Sequence, residues 1–306
     1  MVNSSSVHLG PILLVTGISI FGFADTLTLF VSDQVGVGQF HFSRSLLTVV
    51  MLLLLSKFFD LSIIPRKWTP MIIRTFLMVT AILSYFSVLP MIPLAEAGAG
   101  LFTSPIFVLV FSVLFFRERI GPIQILAVML GTLGIALVLL PDLNHLSIYH
   151  LVPIVSGASY ALGSIITFRY LSDESPLAIT MSFIVGIGLC GYLITIIFTL
   201  SPASSELVNR APFLFSGWQS VDTRYWMWMA LIAICATLAL SLMSRAYQIT
   251  TTSNIAVYEY AYLISVGLFS YLLWDVIPSV MGICGIFLII LSGGLISLVR
   301  PPIPLH

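Results

Sequence analysis

Glu259 is a carboxylate inside an otherwise apolar stretch, with Tyr258, Tyr260 and Tyr262 beside it. On a regular helix Tyr262 would share the face of Glu259 at i+3, whereas Tyr260 would point about 100° away. Aromatic faces and a carboxylate attract cations, so this pattern predicts a site for an ammonium group, with Tyr258 and Tyr262 as further contacts. The same carboxylate could bind a proton, or could serve structure alone by pairing with an Arg or Tyr.

Arg44 is a basic residue in a second apolar stretch, with His41 on the same helical face at i−3. A guanidinium can hold a carboxylate or phosphate through its planar fork, so Arg44 and His41 are candidates for binding an anionic group. Asp25 lies in a third such stretch and is a candidate proton or cation site. An ion pair between Asp25 and Arg44 is an alternative that fits both residues equally well.

Two further tyrosines complete the set of candidate binding residues. Tyr160 lies in a polar stripe with Ser156 and Ser164, and Tyr85 follows Ser84 in another apolar stretch. Such stripes face protein or a cavity, and they can also merely join helices. The sequence contains no Ser/His/Asp nucleophile arrangement, no phosphate-binding loop and no His/Cys metal cluster. It therefore predicts no enzyme, no metal site, no cofactor and no ATP-driven pump.

The amino-acid composition indicates whether water or lipid surrounds the protein. Hydrophobic side chains make up 59% of the 306 residues and charged ones only 8%, against about 25% charged in a soluble domain. The 12 basic and 12 acidic residues cancel, which leaves no basic surface for nucleic acid. The three cysteines lie in apolar runs and suggest no disulfide framework. We therefore expect an integral membrane protein whose partners are lipid and a small molecule.

Apolar runs of about 20 residues, the length of a membrane-spanning helix, follow one another along the chain. There are ten of them, at residues 8–31, 37–56, 68–90, 95–116, 121–140, 148–170, 176–200, 224–247, 252–274 and 277–299. Since the runs are continuously apolar, we expect an all-α protein with ten transmembrane helices. With the N-terminus in the cytoplasm, nine Lys/Arg residues lie inside and two outside, which predicts that both termini are cytoplasmic.

The two halves of the chain resemble each other. Pro105 to Glu118 and Tyr262 to Asp275 have the same thirteen-residue spacing, and each segment leads into a glycine-spaced helix. This predicts two five-helix units, residues 1–142 and 143–306. Because five is odd, the second unit would be inserted upside down relative to the first. Inverted repeats are typical of secondary transporters, with the substrate site near the midplane.

The first half also carries motifs of a known family. It resembles the EamA-type members of the drug/metabolite transporter superfamily in Leu83-Ser84-Tyr85, in Thr103-Ser104-Pro105, in Phe116-Arg117-Glu118-Arg119-Ile120 and in Gly131 and Gly134. The resemblance implies a ten-helix carrier in the cell inner membrane that moves small metabolites by alternating access. In the second half, Ala261-Tyr262 stands where such proteins often have Glu-Pro, and the acid is Glu259.

These observations favour a secondary transporter of an amino acid or other zwitterion, with possible proton coupling at Asp25 or Glu259. Glu259 and its tyrosines would bind the ammonium end, and Arg44 the carboxylate end. The two residues would lie about 10 Å apart in depth if both helices are regular. The alternatives are an exporter of organic cations or drugs, in which Arg44 serves structure, and a membrane subunit that transports nothing.

Overall fold

The computed structural model describes residues 4–88, 100–139, 148–275 and 279–297. These residues contain helices and connecting segments, and no strand. The ten longer helices are α1 Ser4–Leu27, α2 Val37–Phe59, α3 Trp68–Ser87, α4 Ser104–Phe116, α5 Pro122–Leu139, α6 Leu151–Tyr170, α7 Pro176–Leu200, α8 Thr223–Ile249, α9 Ala261–Trp274 and α10 Val280–Ser297.

Seven helical segments in the described ranges are long and apolar enough to cross a membrane. They are Leu9–Phe30, Val37–Phe59, Trp68–Ser87, Ile148–Tyr170, Pro176–Leu200, Thr223–Ile249 and Thr252–Leu273. Three shorter helices, Ser104–Phe116, Pro122–Val138 and Val280–Ile296, are equally apolar. Large side chains such as Phe58, Phe76 and Met129 are exposed, as expected of a surface covered by lipid. The prediction of an all-helical membrane protein is confirmed.

Helix pairs that are distant in sequence form the core. The most extensive packing joins α5 to α10, α1 to α8, α2 to α7 and α3 to α6. Further contacts join α1 to α9, α4 to α6, α2 to α8 and α3 to α7. Every one of these pairs joins the first half of the chain to the second half.

Two of the helix crossings are contacts between glycines. A Cβ atom built on Gly285 of α10 would lie 2.4 Å from the carbonyl oxygen of Gly134 of α5, and one built on Gly134 would lie 2.7 Å from the carbonyl of Gly285. Gly38 of α2 and Gly191 of α7 make the same reciprocal approach, at 2.7 and 2.6 Å. Only glycine lets two backbones come this close.

The helices α4 and α9 end in the same way. Each is followed by a non-glycine residue in the left-handed conformation, Arg117 at φ 53° and Asp275 at φ 52°. By the thirteen-residue spacing, Glu118 in the first half corresponds to Asp275 in the second half. By the left-handed residue that ends each helix, it is Arg117 that corresponds to Asp275. The difference arises because the backbone turn, and not the acidic side chain, marks where each helix ends.

A buried acid, Glu174, joins three parts of the chain. Its carboxylate accepts hydrogen bonds from the backbone N–H groups of Lys67, at 2.6 Å, and Arg66, at 2.9 and 3.1 Å. Gln248 of α8 donates to the backbone carbonyls of Leu171 and Glu174, at 2.7 and 2.6 Å. The start of α3 and the end of α8 are thereby attached to the turn between α6 and α7.

We expect Glu174→Ala to lower the free energy of unfolding by about 1–3 kcal/mol, because it removes the buried carboxylate that accepts hydrogen bonds from the backbone N–H groups of Arg66 and Lys67. Thermal unfolding of the purified protein in detergent would measure this loss. The matched control is Asp173→Ala, because Asp173 is exposed and its contacts, with the exposed Lys67 at 3.2 Å and with the hydroxyl of Ser172 at 3.5 Å, are of a type that contributes little. Equal melting temperatures for the two variants would contradict the structural role of Glu174.

Candidate functional site

Glu259 is only 4% exposed and lies in a short 3₁₀ segment, Ala256–Tyr260. This segment follows the helical turn Thr252–Ile255 and leads into α9. The Oε2 atom of Glu259 accepts a hydrogen bond from the hydroxyl of Ser104, at 2.9 Å. Its Oε1 atom is buried and has no hydrogen-bond partner among the described residues. The carboxylate therefore keeps one oxygen available for a ligand.

Ser104 was not anticipated as a partner of this carboxylate. It is the first residue of α4, directly before a proline, and it is 2% exposed. The Thr103-Ser104-Pro105 motif could have indicated it, because a polar residue before a proline inside an apolar run marks a backbone irregularity. The bond between Ser104 and Glu259 joins the two halves of the chain.

The neighbouring tyrosines diverge from Glu259. The hydroxyl of Tyr260 lies 3.3 Å from that of Thr132, on α5. Tyr262 donates to Asp25 of α1 at 2.6 Å, and Tyr258 packs beside Gly293 of α10. The sequence predicted Tyr262 beside Glu259 at i+3, whereas the structure pairs the hydroxyl of Tyr262 with Asp25.

Arg74 is a buried cation that the sequence analysis counted only as a flanking charge. It is 8% exposed, within α3. Its Nε atom donates to the hydroxyl of Thr167, at 3.4 Å, and its Nη1 atom donates to the carbonyl of Ile179, at 3.2 Å. The guanidinium also lies over the ring of Phe183, 5.9 Å from the centroid. The signal for Arg74 was its position well inside the apolar run that begins at residue 68.

Tyr160 lies near both Arg74 and Glu259. Its side chain interacts electrostatically with both of these charged groups. The next residue, Ala161, packs in one buried cluster with Val108 of α4 and Ala256 of the 3₁₀ segment. The helix α6 thus separates α3, with Arg74, from the elements that hold Glu259. We name Glu259, Ser104, Tyr160 and Arg74 the Glu259 cluster.

A second group of polar side chains surrounds Arg44, which is 6% exposed. Nη2 of Arg44 donates to Nδ1 of His41, at 3.1 Å, so the ring proton of His41 lies on Nε2. The guanidinium lies 5.3 Å from the ring centroid of Phe40. Nε of Arg44 and Nε2 of His41 are buried and have no partner in the described parts of the chain.

Asp25 belongs to the same group but does not form a direct ion pair with Arg44. Its Oδ2 atom accepts the bond from Tyr262, and the carboxylate interacts electrostatically with Arg44 and with Tyr85. Among the described residues, direct ion pairs join Lys67 to Asp173 and Arg169 to Glu118. We name Arg44, His41, Asp25, Tyr262 and Tyr85 the Arg44 cluster.

Aromatic rings cover the Arg44 cluster on one side. Phe213 lies in the connection between α7 and α8, with its ring centroid 6.1 Å from that of Phe40 and 6.3 Å from that of Phe86. The ring of Phe86 in turn lies 5.2 Å from that of His41.

Gln39 fixes the connection that carries Phe213. Its side chain donates to the backbone carbonyl of Gln219 at 2.9 Å and accepts from the backbone N–H of Gln219 at 2.7 Å. The aromatic cover is thereby attached to the start of α2.

The structure thus separates the predicted site residues into two clusters. Arg44, His41, Asp25, Tyr262 and Tyr85 lie in one cluster, Glu259 and Tyr160 lie in the other, and Tyr258 lies outside both. Glu259 and Arg44, the two ends of the expected site, do not contact each other. Across the described ranges, no three His, Cys, Asp or Glu residues are arranged to hold a metal ion.

Comparison with known proteins gives the same family as the sequence motifs. Residues 8–140 match the EamA-like transporter family. An uncharacterized transporter of Helicobacter pylori is 25% identical over 283 residues, which cover 91% of each chain. The pseudopaline exporter CntI of Pseudomonas aeruginosa is 25% identical over 286 residues, which cover 92% of this chain and 94% of the exporter. The riboflavin transporter of Brucella anthropi is 25% identical over 158 residues, about half of each chain.

The fold is also similar to that of a solved protein. A crystal structure superposes with a TM-score of 0.77 and 15% sequence identity, covering 97% of both chains. At this identity the likeness concerns the fold alone. The full-length relatives are named as transporters, and the described helices are those of a multi-pass membrane protein. The resemblance read from the motifs is confirmed: residues 8–140 match the EamA-like transporter family, and the relatives are named as transporters or exporters.

Proposed function

We propose that this protein is a secondary active transporter of a small zwitterionic metabolite, such as an amino acid, and that it works by alternating access. The observation that carries the proposal is Glu259, a buried carboxylate with one oxygen that has no hydrogen-bond partner among the described residues. A buried carboxylate is costly unless it has partners, and an ammonium group would supply them. Glu259 would bind the cationic end of the substrate.

The proposed architecture has ten spans in two inverted units, residues 1–142 and 143–306. If α1–α5 are exchanged in order with α6–α10, the pair α1–α8 becomes α6–α3 and the pair α1–α9 becomes α6–α4. In the structure the two helices of each of these four pairs pack against each other. The exchange converts α2–α7 and α5–α10 into themselves, and both of these pairs cross at reciprocal glycine contacts. Reciprocal contacts are expected on a pseudo-two-fold axis. The boundary at residues 142 and 143 lies outside the described residues.

The proposed location is the cell inner membrane, with both termini in the cytoplasm. The excess of Lys and Arg on one side supports this orientation. The connection carrying Phe213 would then face the outside and cover the Arg44 cluster. The hydrogen bonds accepted by Glu174 and the ion pair between Arg169 and Glu118 would lie on the cytoplasmic side. In alternating access, one of these two closures opens at a time.

The Arg44 cluster has a proposed role on the outer side of the path. The unpaired Nε atom of Arg44 is available to an anionic group, with His41 and Tyr85 as neighbours. Asp25 is a proposed proton site, because a proton on its carboxylate would change the hydrogen bond with Tyr262 that joins α1 to α9. Glu259 is the other proposed proton site.

An exporter of organic cations or drugs is the second candidate function. It is favoured because Nη2 of Arg44 is bonded to His41, whereas Glu259 keeps a carboxylate oxygen without a hydrogen-bond partner among the described residues. The relatives carry the names of two different cargoes, pseudopaline and riboflavin. Proteins that share a fold can therefore carry different substrates, and the fold alone does not identify the substrate.

The test is a thermal-shift screen of the purified protein with amino acids, betaines, amines and carboxylates, followed by counterflow in proteoliposomes. A ligand that binds only the folded state must raise the melting temperature, by an amount that grows with its concentration. We expect stabilisation and counterflow with zwitterions. A response to choline-like cations alone would favour the second candidate, and no flux of any of these compounds would contradict both.

A further inference from the structure

We propose that Arg74 binds the anionic end of the substrate, so that one zwitterion extends from Arg74 past Tyr160 to Glu259. This inference rests on the proposed transport of a zwitterion and assigns its second charge to a residue that sequence reasoning had placed at the membrane edge. The substrate class it implies is a zwitterion, with a carboxylate at one end and an ammonium group at the other.

Arg74 is buried without a carboxylate in direct contact. Its hydrogen bonds go to a hydroxyl and a carbonyl, and both acceptors are neutral. Because a buried guanidinium without a counter-ion is destabilising, and because its fork matches a carboxylate, an anionic ligand group would complete its contacts.

The two bonds of Arg74 also fix its direction. Thr167 and Tyr160 are seven residues apart on α6 and share one helical face, which packs against α3. Tyr160 packs among the side chains around Phe183, the ring that Arg74 contacts. The guanidinium plane is therefore held beside the face of α6 that carries Tyr160.

Glu259 approaches Tyr160 from the other side. Ala161 contacts Ala256 and Val108, so the 3₁₀ segment and α4 pack directly beside Tyr160. Glu259 and Arg74 form no ion pair with each other, since their charged atoms lie more than 4.0 Å apart. Yet both interact with the same tyrosine. Two unpaired opposite charges separated by a phenol suit a ligand that carries both complementary charges.

Arg44 is less suited to this role. Its Nη2 atom is hydrogen-bonded to His41, and its guanidinium interacts electrostatically with the carboxylate of Asp25. The cluster around Arg44 thus contains its own counter-charge, whereas Arg74 and Glu259 have complementary charges only across Tyr160.

The test compares matched ligands on the wild type, Arg74→Gln and Arg74→Lys. The probes are phenylalanine with phenethylamine and lysine with cadaverine, in which each amine lacks only the carboxylate. Affinities are measured by thermal shift and calorimetry. We expect Arg74→Gln to weaken binding of the amino acids by about 10–100-fold, the strength of a charge-assisted bond, and to leave the amines unaffected. Arg74→Lys keeps the charge but not the fork, and we expect an intermediate loss.

The control is Arg245→Gln, which removes an exposed arginine of α8 and should change neither affinity. Equal weakening of amino acids and amines in a folded Arg74→Gln protein would overturn the inference and leave the proposed function intact. If Arg74→Gln does not fold, unchanged selectivity in Arg74→Lys would overturn it as well. Failure of all probes to bind the wild type would overturn both the inference and the proposed function.

Discussion

Glu259→Gln is expected to abolish the stabilisation that a cationic or zwitterionic ligand confers, with an affinity loss of about 100-fold. Glutamine has nearly the same shape and can still accept the bond from Ser104, so the change removes the charge and little else. Burying a neutral amide costs less than burying a carboxylate, so the ligand-free protein should melt at the same temperature or higher. Thermal shift and counterflow with the ligand found for the wild type measure both effects.

The control for this variant is Glu206→Gln, because Glu206 is an exposed residue of the connection between α7 and α8. It should bind and transport as the wild type does. Ser104→Ala should give a smaller loss than Glu259→Gln, because it removes a neutral partner and keeps the carboxylate. Unchanged ligand binding in Glu259→Gln would contradict a substrate role for the carboxylate and leave a packing role.

Gly285→Ala is expected to lower the free energy of unfolding by about 1–3 kcal/mol, and Gly285→Leu to prevent folding. The added Cβ atom would lie 2.4 Å from the carbonyl oxygen of Gly134 and 2.7 Å from a methyl carbon of Val138. A backbone carbonyl cannot move aside as the end of a side chain can. The helices α5 and α10 would therefore have to separate along their whole contact. Thermal unfolding and size-exclusion chromatography in detergent measure the result.

Gly294→Ala is the matched control on the same helix. A Cβ atom built at Gly294 would lie within 4 Å of no atom beyond its chain neighbours and the adjoining backbone of its own helix. Alanine also favours a helix over glycine by about 1 kcal/mol, so this variant should be as stable as the wild type or slightly more stable. Similar melting temperatures for Gly285→Ala and Gly294→Ala would contradict the close crossing of α5 and α10.

Hydropathy predicted the location of the helices well, because each span must be apolar over its whole length to reside in lipid. The run 176–200, for example, coincides with α7. Hydropathy could not predict how the run 252–274 is wound. That run is divided into Thr252–Ile255, the 3₁₀ segment Ala256–Tyr260 and α9. An irregular turn depends on packing against other helices, which leaves no mark on the local pattern.

The sequence singled out buried charged residues but did not give the contacts that they make in the fold. Glu259, Arg44 and Asp25 stood out because each is a charge in an apolar run, and such charges require partners. Two of their actual partners, Ser104 and Tyr262, are distant in sequence, and only the fold brings them close. The third, His41, lies three residues before Arg44 on the same helix. Arg74 was missed because the positive-inside count treats every arginine near a span end as an anchor.

The two clusters together contain two carboxylates and two guanidinium groups. A charge that crosses a membrane gains or loses about 2.3 kcal/mol per 100 mV of membrane potential. Because these four charges sum to zero, we expect reorientation of the empty protein to carry no net charge from them, and a zwitterionic cargo adds none. The voltage across the membrane would then act on transport only through a co-transported ion, and without one the cargo gradient alone would set the direction.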